Sequence, residues 1–521
     1  LKPLFVNRVY DAKESTQIVY QRKINQERSP QMAKSVIKNF IDGKWVESAS
    51  ENMSGVRNPA TDEILALCPN STQDEVQDAV QAARDAFMEW RLTIPIKRAE
   101  ILYTFRQKVI EATDELARII VEEHGKTLSD ARAELVRAKE YIEHPIGIAE
   151  LLKGDFSEDV GTRVDEYYIR EPLGVFALIP PFNFPAMIPL YFTWPIACGN
   201  TVVIKPSELT PLTTAKLVEL LNDSGLPNGV LNLINGRGDI GQSLITHPNV
   251  VGVTFVGSSA IAEKVYQLAT GLGKRAQCQG GAKNHALVMN DIDLMEVLTN
   301  LVGSCFGHTS QRCFAISNIL VHENIYEVFK QKFVEAAKDI KLGFGLDASV
   351  TMGPVVSRAA LEKLMSHVEN AIREGATLLL DGRNPKVEDY PSGYFMGPTI
   401  LEAEPEMEVF THETFGPVRC LKMVKDLQEA VQIINSSPFG HTAVIYTKDG
   451  GWAREFTRLT NVGQVGINVG TPAPIAFYPV GGRKISFYGD LRGRANDAVD
   501  FYTDKKVVVS RWPSESKERM F

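Results

Sequence analysis

Cys313 ends the run Phe306-Gly307-His308-Thr309-Ser310-Gln311-Arg312-Cys313. It lies between a helix-like apolar stretch over 294–306 and a strand-like one over 316–321. A thiol at a helix-to-strand junction, with Arg312 beside it, could be held partly as thiolate, and the thiolate is the nucleophilic form. The other cysteines, at 68, 198, 278, 305 and 420, form no C-x-x-C pair and no Cys/His spacing suited to a metal. They read as free thiols of a reducing compartment, most of them apolar filler. Cys305, on the preceding helical stretch, keeps open a redox-sensing disulfide.

Polar groups also gather where other apolar runs end. Asn183 follows the run over 174–179 in Pro180-Pro181-Phe182-Asn183-Phe184-Pro185. An amide in a proline-stiffened loop at a strand's carboxyl end can donate to a developing oxyanion; a turn Asn bonding its own backbone is the plainer alternative. Lys205-Pro206-Ser207-Glu208 closes the run over 201–204. There an acid can bind ribose hydroxyls and a lysine a ribose or phosphate, against the alternative of a solvated ion pair. Phe255-Val256-Gly257-Ser258-Ser259 closes a strand and opens a helix, whose first backbone N–H groups suit a phosphate. Gly236-Arg237-Gly238-Asp239-Ile240-Gly241 fits G-x-G-x-x-G but not at the first strand of its unit, so it reads as a turn and helix start. His308 is either a base for Cys313 or a packed, positioning side chain.

The elements that must position these groups fall into two series. An apolar stripe at helical spacing runs from Val76 through Ala79, Val80, Ala83 and Phe87 to Trp90. Helices follow over 94–112, 114–123 and 128–152, the last kinked at Pro145. Apolar runs at 174–179, 201–204, 230–234, 251–256 and 285–289 then alternate with helical stretches at 213–224 and 260–270. That alternation predicts an α/β fold, a parallel sheet with helices on both faces. After Cys313 it restarts with strands near 316–321, 377–380 and 443–446 and helices at 325–340, 358–374 and 427–435, a second α/β unit. The β-runs at 163–170 and 505–511 are expected to seek a partner in another subunit. Residues 1–36 form an extension outside this pattern. The expected division is 37–153 with 173–281, then 282–482, with 154–172 and 483–512 as oligomerisation strands and tail.

Composition excludes several classes. Net charge is −8 with both signs interspersed, so no basic stripe marks a nucleic-acid binder. The most apolar stretch, 186–198, carries Pro189 and Pro195 and reads as a buried helix, not a membrane span. The first thirty or so residues mix acids with bases, unlike a transit peptide. A cytoplasmic location is expected, or the mitochondrial matrix in a eukaryote.

With Asn183, Lys205-Pro206-Ser207-Glu208, Phe255-Val256-Gly257-Ser258, Gln311-Arg312-Cys313 and Glu413-Thr414-Phe415-Gly416-Pro417 in this order, the chain resembles the aldehyde dehydrogenase superfamily over roughly residues 38–512. The resemblance implies a Rossmann-type NAD-binding domain, an α/β catalytic domain, a small β oligomerisation element and a homodimer or homotetramer. It implies a thiohemiacetal and then a thioester on Cys313, with Asn183 and the Cys313 N–H as oxyanion hole. Cofactor contacts would fall to Phe182, Lys205, Ser207, Glu208, Gly257, Ser258, Gly280, Glu413 and Phe415. Of these, Lys205 and Glu208 would hold the adenosine ribose, Ser258 the pyrophosphate and Glu413 the nicotinamide ribose. Glu208 would repel a 2′-phosphate, which favours NAD over NADP.

One departure carries chemical weight. Hydrolytic members have a Glu where this chain has Gln279, and an amide cannot take a proton from water at neutral pH. A better nucleophile, such as coenzyme A, is then wanted for the thioester. Gly281-Ala282-Lys283-Asn284-His285 is similar to the CoA-acylating branch that acts on methylmalonate or malonate semialdehyde. That branch implies Arg137 and Arg312 as ligands of the substrate carboxylate, loss of CO2 and propionyl-CoA or acetyl-CoA as product. His308-Thr309-Ser310 and Leu209 depart from its pattern. Hydrolytic release of a free acid, a non-catalytic homologue and a redox-sensing thiol protein remain as alternatives.

Overall fold

The structure, a computed structural model, describes residues 35–512. An eight-stranded sheet runs in the order Lys44–Val46, Asn39–Ile41, Leu231–Leu233, Thr201–Ile204, Val175–Ile179, Val250–Val256, Arg275–Gln279, Phe487–Tyr488. Its five middle strands are parallel. Both faces are covered, which is why Val175–Ile179 (VFALI) is apolar and buried at every position. The chain moves from Val175–Ile179 outward to Leu231–Leu233, then crosses to Val250–Val256 on the other side. The reversal leaves a crevice at the carboxyl ends of those two strands, where α/β sheets bind ligands.

A second sheet runs Thr377–Leu380, Thr399–Glu402, Val418–Val424, Ile316–His322, Asn284–Val288, Thr442–Tyr446, Gln464–Ile467. Every neighbouring pair is parallel except the first. Each sheet has an apolar cluster on either face.

The helix Gln73–Trp90 buries the stripe read from its sequence, and Thr72 and Glu75 close a reciprocal capping box at its start. Leu128–Ile146 carries Pro145 in its last turn, with the short helix Ile148–Leu151 beyond. The apolar run at 186–198 is not one helix. Pro189 starts a 3-10 turn, Pro189–Phe192, and Thr193–Cys198 follows, stopped by Gly199 at φ 95°.

The β-run at the carboxyl end finds a first partner within the chain. Thr503–Arg511 pairs antiparallel with Val164–Pro172 of the same chain, and Phe156–Gly161 adds a third strand. Phe487–Tyr488, expected among the oligomerisation strands, instead pairs with Arg275–Gln279 at the edge of the first sheet.

Candidate active site

Cys313 stands where the carboxyl ends of the first sheet's strands face the amino ends of the second's, between helix Leu294–Phe306 and strand Ile316–His322. His308, Thr309 and Ser310 before it have φ of 55°, 53° and 61°. Three consecutive non-glycine residues in the left-handed region cost about 1–3 kcal/mol each, so neighbours must hold them. Thr309 Oγ1 donates to the Gly353 carbonyl at 2.9 Å, the His308 N–H to Asp130 at 3.3 Å, and Val356 N–H to Gln311 Oε1 at 3.1 Å. His308 is buried against the Phe184 ring and carries no role toward the thiol in its contacts.

Two asparagines fix the nucleophile's backbone. Asn284 Nδ2 donates to the carbonyls of Cys313 at 2.7 Å and Ala315 at 2.9 Å, while its Oδ1 accepts from Thr442 N–H at 3.1 Å. Asn183 Nδ2 donates to the Gln311 carbonyl at 3.1 Å. One of its two amide hydrogens is thereby used and the other is left for an oxyanion. The Cys313 N–H lies against its own sulfur, the second donor of such a hole.

Asn183 is itself anchored. Its carbonyl accepts from Lys126 Nζ at 2.9 Å, and Lys126 pairs with Glu134 at 2.6 Å, both side chains wholly buried. The other Glu134 oxygen accepts from the N–H groups of Ala186 at 2.8 Å and Met187 at 3.1 Å. The loop carrying Asn183 is thus tied to helix Leu128–Ile146 at both ends.

The thiol is not the resting thiolate that its neighbour Arg312 suggested. Burial, with the nearby Glu413 charge, pushes Cys313 up to about 12; its own N–H, then Arg494, then Arg312 pull the other way. The Arg312 guanidinium turns back to the carbonyls of Gly303 at 2.5 Å and Ser304 at 3.0 Å, closing the end of the preceding helix. Arg137 is not brought to the thiol. It lies on the outward side of its helix, its side chain 46% exposed, paired with Glu140 at 3.1 Å. The phase of the helix explains this, since Glu134, Leu135, Ala138 and Tyr141 are the buried positions around it.

Gln279 ends its strand with 9% exposure, its amide on the Tyr191 hydroxyl. Tyr191 stacks on Tyr141 with ring centres 5.4 Å apart. No carboxylate occupies the position of Gln279.

The residues expected to hold a dinucleotide line the crevice of the first sheet. Lys205 Nζ, buried, donates to the carbonyls of Pro206 at 2.8 Å and Gly236 at 2.7 Å. Burial lowers its pKa, and the Glu208 charge opposes that. Ser207 Oγ accepts from Leu209 N–H at 3.3 Å. Ser258 precedes helix Ser259–Gly271 without making a cap hydrogen bond, which leaves the first N–H groups open to a phosphate. Gly257 N–H donates to Gln279 at 3.0 Å and Gly280 N–H to Ser486 at 3.0 Å; a Cβ on Gly280 would meet the Ile485 carbonyl at 2.5 Å. Glu413 accepts from Ala282 N–H at 2.7 Å and is pushed up to about 7 by burial. Phe182 and Phe415 meet edge to face at 5.8 Å, Phe182 next to Asn183 and Phe415 two residues after Glu413. An uncapped helix start, a buried lysine and an acid at adjacent strand ends fit a dinucleotide bearing no 2′-phosphate.

Residues 45–508 match the profile of the aldehyde dehydrogenase family. The chain belongs to that family. Malonate-semialdehyde dehydrogenase 2 of Geobacillus kaustophilus is 43% identical over 91% of this chain and 99% of its own length. The crystal structure of methylmalonate-semialdehyde dehydrogenase from Oceanimonas doudoroffii superposes with a TM-score of 0.91 at 40% identity, covering 92% of this chain and 99% of that one. A Sinorhizobium meliloti structure solved with NAD gives a TM-score of 0.92 at 39% identity, over 94% of this chain and all of the other. The two-sheet α/β architecture is therefore that of known aldehyde dehydrogenases.

Lys126, Glu134, Asn284, Tyr191 and Arg494 were not singled out from sequence as site residues. The first two had one signal, a Lys and a Glu flanking a helix start on its buried face. Arg494 had none.

Proposed function

We propose that the chain is an NAD-dependent dehydrogenase of a short 3-oxo acid semialdehyde, malonate or methylmalonate semialdehyde, which passes its acyl group to coenzyme A. The observation that carries this is a fully held thiol cradle at Cys313 facing an amide, Gln279, in place of a water-activating carboxylate. The names of the relatives above agree with it.

Cys313 Sγ attacks the aldehyde carbon, and the thiol proton passes to solvent water as the C–S bond forms. The new alkoxide is received by the Cys313 N–H and the second hydrogen of Asn183 Nδ2. Lys205, Glu208, Ser258 and Glu413 would hold NAD, which when bound takes up the hydride that turns this adduct into a thioester. The β-carboxylate of the acyl group then leaves as CO2, its electron pair moving toward the thioester oxygen at the same two donors. Protonation of the resulting carbanion gives the acetyl or propionyl thioester. Gln279 cannot take a proton from water, so the thioester persists until the CoA thiol displaces Cys313 and forms acyl-CoA.

The three-stranded sheet supports self-association as a dimer or tetramer. It exposes Phe156 at 63%, Val507 at 65% and Val509 at 60%, and one edge of Thr503–Arg511 is unpaired.

Mixing the protein with NAD and malonate semialdehyde, without CoA, should release about one NADH per subunit and stop. CoA should restore continuous turnover with one CO2 per NADH. Sustained turnover without CoA sinks this reading in favour of hydrolysis.

A further inference from the structure

The loop of Asn183 and the turn before Cys313 belong to different α/β units, yet one short stretch, residues 126–134, grips both. Lys126 and Glu134 hold the Asn183 loop at its two ends. Between them in sequence, Asp130 holds the turn. Its Oδ2 accepts from the His308 N–H at 3.3 Å, and its Oδ1 faces His308 Nε2 at 3.4 Å. The carboxylate is fixed in turn: Oδ2 accepts from Thr127 Oγ1 at 2.9 Å, and the Asp130 N–H donates to that hydroxyl at 3.1 Å as the helix cap. The Phe184 ring joins the two sets of contacts, with the His308 ring 5.4 Å away and Lys126 Nζ over it at 4.8 Å.

These contacts fall where the backbone is strained. His308 opens the run of three left-handed residues, and each has one tie: Ser310 Oγ to the Cys305 carbonyl, Thr309 Oγ1 to the Gly353 carbonyl, His308 to Asp130. Asp130 alone meets both the main chain and the side chain of its residue. The stretch that carries it is immobilised by backbone, for Leu128 N–H donates to the Gly345 carbonyl at 2.9 Å, and a Cβ on Gly353 would stand 1.8 Å from the Gly125 carbonyl. Burial, then the charges of Lys126, Arg312 and His124, hold the His308 pKa well below the usual imidazole range. The ring is therefore neutral, and with Nδ1 unbonded it can present Nε2 as donor or acceptor. What Asp130 supplies to it is acceptor geometry, not an ion pair.

We propose that Asp130 is a positioning residue for Cys313: by holding His308 it fixes the turn that sets the thiol and its N–H opposite Asn183. It acts through the backbone and does not touch the reacting atoms. Both halves of the oxyanion hole are thus referred to one rigid helix start. This rests on the reading of Cys313 as nucleophile with Asn183 as its oxyanion donor.

The test is the NADH burst with NAD and malonate semialdehyde, without CoA, in wild type, Asp130→Ala and Asp130→Asn. Asp130→Ala should slow the burst about 100-fold, the effect of misplacing a reacting group by about 1 Å. Its amplitude should stay near one NADH per subunit, and the half-saturating NAD and aldehyde concentrations within about threefold. Asp130→Asn should run within about fivefold of wild type, because its carbonyl can accept from the His308 N–H and its NH2 can donate to Nε2. A role in stability alone predicts a reduced amplitude at an unchanged rate in Asp130→Ala, and that result overturns the assignment. Equal slowing of the two variants also overturns it, since charge would then be the contribution. Should Asp130→Ala not fold, Asp130→Glu, which keeps the charge but moves the acceptor by a methylene, must slow the burst about tenfold; a wild-type rate there overturns the proposal as well. A burst that survives in Cys313→Ala would instead sink the underlying reading of the nucleophile.

Discussion

The two sides of the pocket are built on opposite terms. On the Cys313 side the carbonyls of Gln311, Cys313 and Ala315 are each taken by an asparagine, and Asn183 in turn rests on a buried Lys126–Glu134 pair. On the Tyr141–Tyr191 side Arg494 keeps an unbonded Nε and has no counter-ion. Strain at His308–Ser310 is tolerable only on the first side, where neighbouring elements over-determine it. On the Cys313 side it is the backbone around the nucleophile that is satisfied before substrate arrives.

The sharpest break of this contrast is Cys313→Ala, which should lower NADH formation by more than about 10,000-fold while the protein still binds NAD. Asn183→Ala should come next, a loss of about 100- to 1,000-fold in kcat with KM little changed, since it removes one oxyanion donor. A large KM change with kcat preserved would move Asn183 from the oxyanion to substrate binding. Glu134→Leu leaves Lys126 buried without its partner and should destabilise the fold by about 3–5 kcal/mol in urea denaturation. It should also slow turnover through the displaced Asn183 loop. Destabilisation without slowing would detach the ion pair from the cradle.

The same cradle sets a pH dependence. With the thiol pushed up to about 12, less than about one part in ten thousand is thiolate at pH 8. Because the shift is upward, the reactive form is scarce at neutral pH and accumulates as pH rises. Iodoacetamide inactivation of the ligand-free protein should therefore climb about tenfold per pH unit from 7 to 10. A plateau near pH 8 would show that Arg494 and Arg312 outweigh burial.

How much of this could be read beforehand depended on where each residue sits. Asn183, Lys205 and Ser258 each follow an apolar strand, and in an α/β sheet that position is where ligands meet the protein; Cys313 was legible instead as a thiol beside an arginine at a helix-to-strand junction. The middle strands of the first sheet were visible for the same reason, save Arg275–Gln279 (RAQCQ), whose polar residues hid it, while in the second sheet Thr399–Glu402 and Val418–Val424 went unread. Gln277 there is buried by bonding Thr254 Oγ1 at 2.8 Å and Tyr502 at 3.1 Å, contacts no local pattern encodes. Lys126 and Glu134 went unnoticed because such residues on helices are normally solvated. Arg494 sits in a stretch without strand or helix periodicity, and only the tertiary fold brings it to Tyr141.

The smallest effect concerns the other arginine. Helix Leu128–Ile146 buries Glu134, so its apolar stripe is broken and the phase of Arg137 is ambiguous from sequence; the structure turns it outward to Glu140. An exposed pair three residues apart on a helix contributes about 0.3–0.5 kcal/mol. Arg137→Ala should then change stability by no more than that and kcat/KM for malonate semialdehyde by less than about threefold. Urea denaturation and steady-state kinetics on malonate semialdehyde, with NAD and CoA present, check the two figures. If Arg137→Ala lost far more activity than this, helix Leu128–Ile146 would have to rotate or shift when substrate binds. The Lys126–Glu134 anchor resists that motion, so such a result would also show that the cradle is less rigid than its hydrogen bonds indicate.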